Sequence, residues 1–302
     1  MLKHWIKAFR LRTLPLAFSS VITGTAVALN QGHFDWIVFI FALTTTLFLQ
    51  ILSNLANDYG DAQKGTDNEN RIGPERSIQS GEITEFQMKK AIVFFVFLSL
   101  LSGLTLVFYA TRTISLWYPL IFVTVGILSI IAAIKYTAGK GAYGYKGWGD
   151  LFVFIFFGLV GVIGTSLLFV HEFYYPMLFP AISVGCFSTA VLNLNNMRDF
   201  ENDKFCGKNT LVVKLGIKKS KIYHLYIIIT GIVSSLFYAA NCFSSVYQFL
   251  FVLSYIPFIT HMLRVMKIDD NKNFDFELKK VALSTFLFSI LFCVSVFLFD
   301  LL

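Results

Sequence analysis

The stretch NLANDYGDAQKGTDNENR, residues 54–71, decides how this chain is read. It follows an apolar run from Phe34 to Leu52 and sets Asn54, Asn57, Asp58 and Asp61 within about two helical turns. Carboxylates placed where hydrocarbon ends need a physical reason, because an ionised group near a bilayer is costly unless something neutralises it.

Working outward, the 302 residues are 56% hydrophobic and only 14% charged, against roughly 25% charged in soluble domains, with mean hydropathy +0.68. That balance implies an all-α membrane protein. Six prolines and no Ser/Gly-rich linker leave no seam, so residues 1–302 read as a single polytopic domain. Cys186, Cys206, Cys242 and Cys293 are scattered without C-x-x-C spacing, and the five histidines form no H-x-x-x-H pair. A disulfide framework and zinc chemistry are therefore not expected.

Nine runs approach the ~20 residues that cross a bilayer: 13–29, 34–57, 91–110, 117–136, 151–170, 173–196, 223–240, 246–266 and 281–302. The first follows Lys3, Lys7, Arg10 and Arg12 like a signal peptide, but its length and the lack of a small-residue cleavage site favour an uncleaved helix. With the N-terminus cytoplasmic, every one of the 25 Lys and Arg residues except Arg112 falls in an inner segment. That obeys the positive-inside rule. Of the acidic residues, only Asp35, Glu172 and Asp300 fall outside. Polar chemistry is expected on the inner side of the cell (inner) membrane, around a central cavity between the helices.

The sixth run ends as the second does. Asn193-Leu-Asn-Asn196-Met-Arg198-Asp199 repeats the N-L-x-N opening of residues 54–57 and leads to Asp203. On a helix, Asn54, Asn57, Asp58 and Asp61 span an arc of about 100°, and Asn196, Asp199 and Asp203 about 60°. Two polar stripes at the same membrane face could oppose each other across a cavity, and a cation between them would offset their repulsion. Oxygen-only ligands suit a hard ion. Mg2+, which binds a few carboxylates together with substrate phosphates, fits short stripes better than a closed cage. Solvated helix ends paired with nearby lysines are the bland alternative.

The inner loops add cations. KYTAGKGAYGYKGWGD, residues 135–150, holds Lys140 and Lys146 and a G-x-G-x-x-G at Gly139, Gly141 and Gly144. That motif follows a membrane helix rather than a strand, which excludes a dinucleotide fold. It is either a phosphate-approaching loop or a flexible connector. GKNTLVVKLG, residues 207–216, offers Lys208 and Lys214 without the earlier glycine of a P-loop, since Asn202 stands there. Arg71 and Arg76 precede Thr84 and Gln87, spaced as a capping box for the third span. An allylic diphosphate joins these features: an apolar tail among phenylalanine-rich helices, and a diphosphate bridged to aspartate through Mg2+.

In these strings the chain resembles the UbiA superfamily of intramembrane prenyltransferases, over nearly its whole length. Asn54 and Asp58 match the N-x-x-x-D start of the family's first motif, with Asp61 next, and Asp199 and Asp203 match the second. Many members carry a further aspartate four residues beyond Asp61; here that position is Gly65, and Asp67 follows. RTLPLA (12–17), residues 54–81, AYGYKGWGD (142–150) and NNMRDFENDKFCGKNTLVVKLG (195–216) are similar to the branch that acts on 1,4-dihydroxy-2-naphthoate in menaquinone synthesis. The resemblance implies transfer of a polyprenyl group from polyprenyl diphosphate to that acid, with loss of CO2. It implies Mg2+ on Asp58, Asp61, Asp199 and Asp203, and diphosphate on Lys140, Lys146, Arg198 and Lys208. Asn54, Asn57 and Asn196 would line the substrate, with Tyr143 and Tyr145 orienting the aromatic acid. The lipid bilayer is the expected partner, and nucleic acid is not. The rival readings are a family member with another aromatic acceptor and an ion-coupled transporter, whose charges usually lie near the midplane.

Overall fold

The computed structural model describes residues 2–69 and 71–301. The side chain of Asp300, and Leu302 at the end of the ninth expected span, lie outside that description. Among the described residues the chain is helical and without strands, and nine helices are long and apolar enough to cross a membrane. They run Leu2–Leu29, Trp36–Gln63, Glu85–Thr111, Trp117–Lys135, Gly149–Val170, Tyr175–Arg198, Ile217–Cys242, Val246–Val265 and Asn271–Phe297. Each expected span is present. Several continue further toward the basic loops than the apolar runs do, because a helix keeps its backbone bonds where side chains turn polar.

Local chemistry fixes the ends. Asp35 accepts hydrogen bonds from the amides of Ile37 (2.7 Å) and Val38 (3.1 Å) and so caps the second span. The expected Thr84–Gln87 box caps the third: the Gln87 amide donates to Thr84 Oγ1 at 3.2 Å, and the Thr84 amide to Gln87 Oε1 at 2.9 Å. Within the fifth span, Phe154–Ile163 is wound as a π-helix.

Lipid tails are as apolar as leucine, so these helices associate through close packing rather than escape from water. Small residues supply the approach. A Cβ on Gly158 would lie 2.5 Å from the Ala181 carbonyl oxygen, and one on Gly24 only 2.4 Å from that of Val162. These glycines lock the fifth span against the sixth and the first. Phe187 stacks on Phe258 with centroids 4.3 Å apart, and Phe251, Phe288 and Phe292 complete a buried aromatic core among spans six to nine. The ninth span packs back against the first and closes the bundle. The sixth is the central helix, 78% buried over its apolar window, whereas the fourth, 11% buried, is peripheral. The second acidic motif therefore sits at the end of the bundle's central helix.

Candidate active site

The second span stays helical to Gln63, so Asn54, Asn57, Asp58 and Asp61 occupy its last turns. Asn54 faces the N-terminal segment: its amide donates to the Phe9 carbonyl (3.0 Å) and to Thr13 Oγ1 (3.1 Å), which also receives Gln50 Nε2 at 3.1 Å. Asn57 Oδ1 accepts from the Thr137 hydroxyl at 3.3 Å. Gly60 has to be glycine, because a Cβ there would lie 2.5 Å from Thr137 Oγ1 and 2.6 Å from the Thr137 carbonyl carbon. A backbone neighbour cannot yield as a side chain does. Gly60→Val is therefore expected to cost about 1–3 kcal/mol, read as a lower unfolding temperature in detergent.

The sixth span ends at Arg198, and a short helix, Phe200–Phe205, carries the motif onward. The Asp203 amide donates to the Asp199 carbonyl (2.8 Å), and the Lys208 amide to that of Asp203 (2.8 Å). The two acidic ends then meet. Asn202 Nδ2 donates to the Thr66 carbonyl at 2.8 Å, Arg71 lies 3.8 Å from Asp199, and Tyr145 donates to Asp61 Oδ1 at 2.7 Å. The Asn209 amide donates to the Tyr145 carbonyl at 3.1 Å, and Lys64 Nζ to that of Thr137 at 2.6 Å. Three segments distant in sequence, 61–71, 137–145 and 199–209, thus converge at one end of the bundle.

Acids and bases alternate through this cluster. Asp58 pairs with Arg10, and Arg76 lies 3.5 Å from the same oxygen. Asp67 has Arg71 at 3.2 Å and Arg76 at 3.9 Å. Asp199 is gripped by both arms of the Arg198 fork, at 2.9 and 2.7 Å, and Arg198 reaches on to Asp275 at 2.7 Å. Lys208 lies 3.5 Å from Asp203. Burial dominates the protonation of Asp203 and pushes its carboxyl up to about 6, with Lys208 opposing. Burial and then Asp61 raise Asp67. At Asp199 burial acts in the same direction, but the hydrogen bonds and charge of Arg198 keep it below the usual carboxylate range. Burial disfavours the Lys208 ammonium, yet Asp61 and Asp203 hold it well above the ordinary lysine range.

Among the expected site residues, Asp58, Asp61, Asp199, Asp203, Tyr145, Arg198 and Lys208 come together here. Asn196 is buried on the sixth span nearby. Lys140 and Lys146 do not join them in any hydrogen bond or ion pair among the described residues: both are exposed, in a loop where Gly139 and Gly141 take the left-handed conformation for tight turns. The Gly144 amide donates to the Tyr136 carbonyl at 2.9 Å and braces the turn. Tyr143 is part of that brace, stacked on Phe152 at 4.0 Å with its hydroxyl donating to the Ala132 carbonyl at 2.9 Å. Arg198 is committed to Asp199 and Asp275, leaving Lys208 and Lys64 to face the acids with Tyr145 between them, at 5.5 and 4.0 Å from its ring centroid. Residues outside the expected set are Arg10, Lys64, Asp67, Arg71, Arg76 and Asp275. Arg10 and Arg76 resembled other topogenic cations in sequence; their shared contact with Asp58 identifies them.

The donor set can be tested against a divalent cation. Among the described residues, no three or more His, Cys, Asp or Glu side chains are arranged to hold an ion by themselves. Oδ2 of Asp67 and Oδ2 of Asp203 are nonetheless buried with neither a hydrogen-bond nor an ion-pair partner among the described residues. A native protein rarely leaves such oxygens orphaned without a functional reason. Oxygen donors in this number suit Mg2+, which completes its shell with water and substrate phosphate.

Residues 17–298 match the UbiA prenyltransferase family. The chain is 42% identical over 294 residues to a 1,4-dihydroxy-2-naphthoate octaprenyltransferase of Escherichia coli, covering 97% of this chain and 95% of that one. It is 44% identical to the Haemophilus influenzae protein of the same name, over 84% and 82% of the two chains. Among solved structures, a UbiA homolog from Aeropyrum pernix K1 superposes with a TM-score of 0.68 at 13% identity, over 97% of this chain and 99% of that one. A UbiA homolog from Archaeoglobus fulgidus, bound to GPP and Mg2+, superposes with a TM-score of 0.62 at 14% identity, over 98% and 100%.

Proposed function

Because this chain belongs to the UbiA prenyltransferase family, we propose that it transfers a polyprenyl group from polyprenyl diphosphate to 1,4-dihydroxy-2-naphthoate. CO2 and diphosphate leave, and demethylmenaquinol results, a step of menaquinone synthesis. The observation that carries this reading is the meeting of two acidic helix ends with buried Lys208 in one cluster at one end of nine apolar spans. The basic loops gathered at that end support a cytoplasmic site in the cell membrane with the N-terminus inside.

Asp61, Asp67 and Asp203, with Asp58 and Asp199, would hold Mg2+. The ion would offset the negative charge that grows on diphosphate as the allylic C–O bond breaks. Lys208 and Lys64 bring preorganised positive charge to the same place without reorganisation during the reaction. Tyr145, anchored on Asp61 and Thr66, fixes the width of that space. The Tyr136–Tyr143–Phe152–Phe156 series of rings leads into the apolar bundle. Such faces favour cationic carbon, and a dry wall withholds the water that would quench it. The aromatic acid attacks through the carbon bearing its carboxylate, and loss of CO2 restores the ring.

Product mass spectrometry after supplying dihydroxynaphthoate, Mg2+ and polyprenyl diphosphate tests the reading. It expects the decarboxylated prenyl adduct; a carboxylated adduct, or prenylation of another aromatic acid instead, would contradict it. A pH dependence follows from Asp203. A carboxyl that titrates near 6 carries a proton below that pH, and the proton competes with the metal. The Mg2+ concentration for half-maximal activity should therefore fall as pH rises through about 6 and level off above it. A value that stays constant from acid to neutral pH would remove Asp203 from the metal site.

A further inference from the structure

We infer that Glu277, His261 and His224 are positioning residues for the second acidic motif: a buried chain that holds one mobile proton and passes its presence to Asn193 on the sixth span. The diphosphate whose binding the chain tunes rests on the function proposed above; the proton chemistry of the chain does not.

The chain crosses four helices. Lys280 Nζ donates to Glu277 Oε1 at 2.7 Å, and Glu277 Oε2 lies 2.6 Å from His261 Nδ1. His261 Nε2 meets His224 Nε2 at 2.7 Å, and His224 Nδ1 lies 3.2 Å from Asn193 Oδ1. Asn193, His224, His261 and Glu277 are all buried. Ionisable groups inside a membrane bundle are expensive and mark function. Asn193 opens the second N-L-x-N string, yet the acidic cluster does not use it. Its counterpart Asn54 ties the second span to the N-terminal segment, and Asn193 ties the sixth span to the seventh. The ninth span thereby reaches the end of the sixth twice. Asp275 holds Arg198 directly, and Glu277, two residues on, holds Asn193 through the two imidazoles.

Proton counting gives the chain two states. Three hydrogen bonds join four groups, so three protons are needed. Two neutral imidazoles supply one each, and an ionised carboxylate supplies none. The third comes either from the Asn193 amide or from an imidazolium. In this structure Asn193 turns its carbonyl oxygen to His224, so His224 Nδ1 donates to it and His261 Nε2 donates to His224. His261 then carries its second N–H toward Glu277, whose other oxygen is paired with Lys280. Asn193 Nδ2 is left buried without a partner, which a native protein rarely tolerates idly. Loss of the extra proton removes one donor, and the chain is then satisfied only if the Asn193 amide turns over and donates through Nδ2. The charged groups around the pair are Glu277 and Lys280 on the ninth span and Arg264 on the eighth. Lys221, one turn before His224, is occupied with the carbonyls of Met266 and Ile268, and Asp275 with Arg198 and Lys279. The sixth span contributes the uncharged Asn193. The amide that turns lies three residues before Asn196 and six before Asp199, so the proton state is read where the second acidic motif begins.

The test uses the full-length protein in nanodiscs with nitrogen-15-labelled histidine, read by solid-state NMR. A background of His4→Gln, His33→Gln and His171→Gln leaves only the buried pair. As pH rises from about 5 to about 9, the two rings should lose one proton in a single shared step. In Glu277→Gln the new amide supplies the third proton without charge, so the pair should stay neutral throughout with its contacts intact. Binding of an unreactive polyprenyl thiolodiphosphate in excess Mg2+ is the second readout. Relative to Glu277→Gln, whose profile carries every other titrating group, the background protein's affinity should change about fivefold or more across the shared step. By reciprocity, the bound analogue should shift the histidine midpoint by about 0.7 pH units or more. In Asn193→Leu the rings should still titrate while the affinity no longer follows them, which a merely structural role would not produce. The proposal is overturned if the rings titrate separately or not at all, if Glu277→Gln titrates in the same way, if the affinity ignores the step, or if it follows the step equally in Asn193→Leu. Each variant breaks a different link, so misfolding of one leaves the other to decide. Rings that titrate as one unit in a protein that binds no polyprenyl diphosphate would refute the proposed reaction and leave the proton chain standing.

Discussion

Asp203→Asn should lower prenyl transfer by roughly 10²–10³-fold or more while the protein still inserts and elutes as a single species in detergent. The substitution keeps the shape of the side chain and removes the charge. Oδ2 of Asp203 is buried without a hydrogen-bond partner, so it is the oxygen with least to lose and most to offer a cation. Asp58→Asn should act in the same direction through the opposite stripe, with Arg10 and Arg76 then facing each other without the carboxylate that separates them. Initial rates at saturating Mg2+, with size-exclusion profiles as the folding control, measure both. Near-wild-type rates in the two variants would remove the metal assignment.

Arg198→Ala should have the largest effect on stability. Its fork satisfies both oxygens of the buried Asp199, and its third nitrogen reaches Asp275 on the ninth span. Breaking one side of a buried pair leaves an uncompensated charge, at a cost of about 3–5 kcal/mol. Thermal unfolding in detergent should show this directly. Combining Arg198→Ala with Asp199→Asn should recover part of the loss, because the orphaned charge is gone. Arg198→Lys should not restore the wild-type value, since one ammonium cannot make the planar fork. A stable Arg198→Ala protein whose only defect is a raised KM for polyprenyl diphosphate would return Arg198 to the substrate-binding role that its position in the sequence suggests.

The fold was largely legible because bilayer thickness and charge sorting act on whole segments, and nine spans follow from both. The Thr84–Gln87 cap was legible because it is a local pattern. Within the site, Asp58, Asp61, Asp199 and Asp203 stood out through helical spacing and their duplication along the chain. Positions defined by tertiary contact did not. Arg10 and Lys140 look alike as basic residues beside a span, yet one is tied to Asp58 and the other is exposed. Arg198 sits inside a conspicuous motif, but one of its two carboxylate partners is Asp275, 77 residues away. Gly144 was legible as a flexible residue and not as the partner of Tyr136, since the contact depends on how the loop folds back. The role of Asp67 was hidden because its spacing from Asp61 departs from helical register; only the loop's path brings it between Arg71 and Arg76.

The central claim is that the two acidic ends grip polyprenyl diphosphate through Mg2+. The direct measurement is equilibrium binding of an unreactive polyprenyl thiolodiphosphate to the nanodisc-embedded protein, with and without Mg2+, in wild type and in Asp58→Asn and Asp203→Asn. Mg2+ should tighten binding by about tenfold or more in wild type and have little effect in either variant. Equal affinity with and without the ion in wild type, or an undiminished Mg2+ effect in both variants, would contradict the claim.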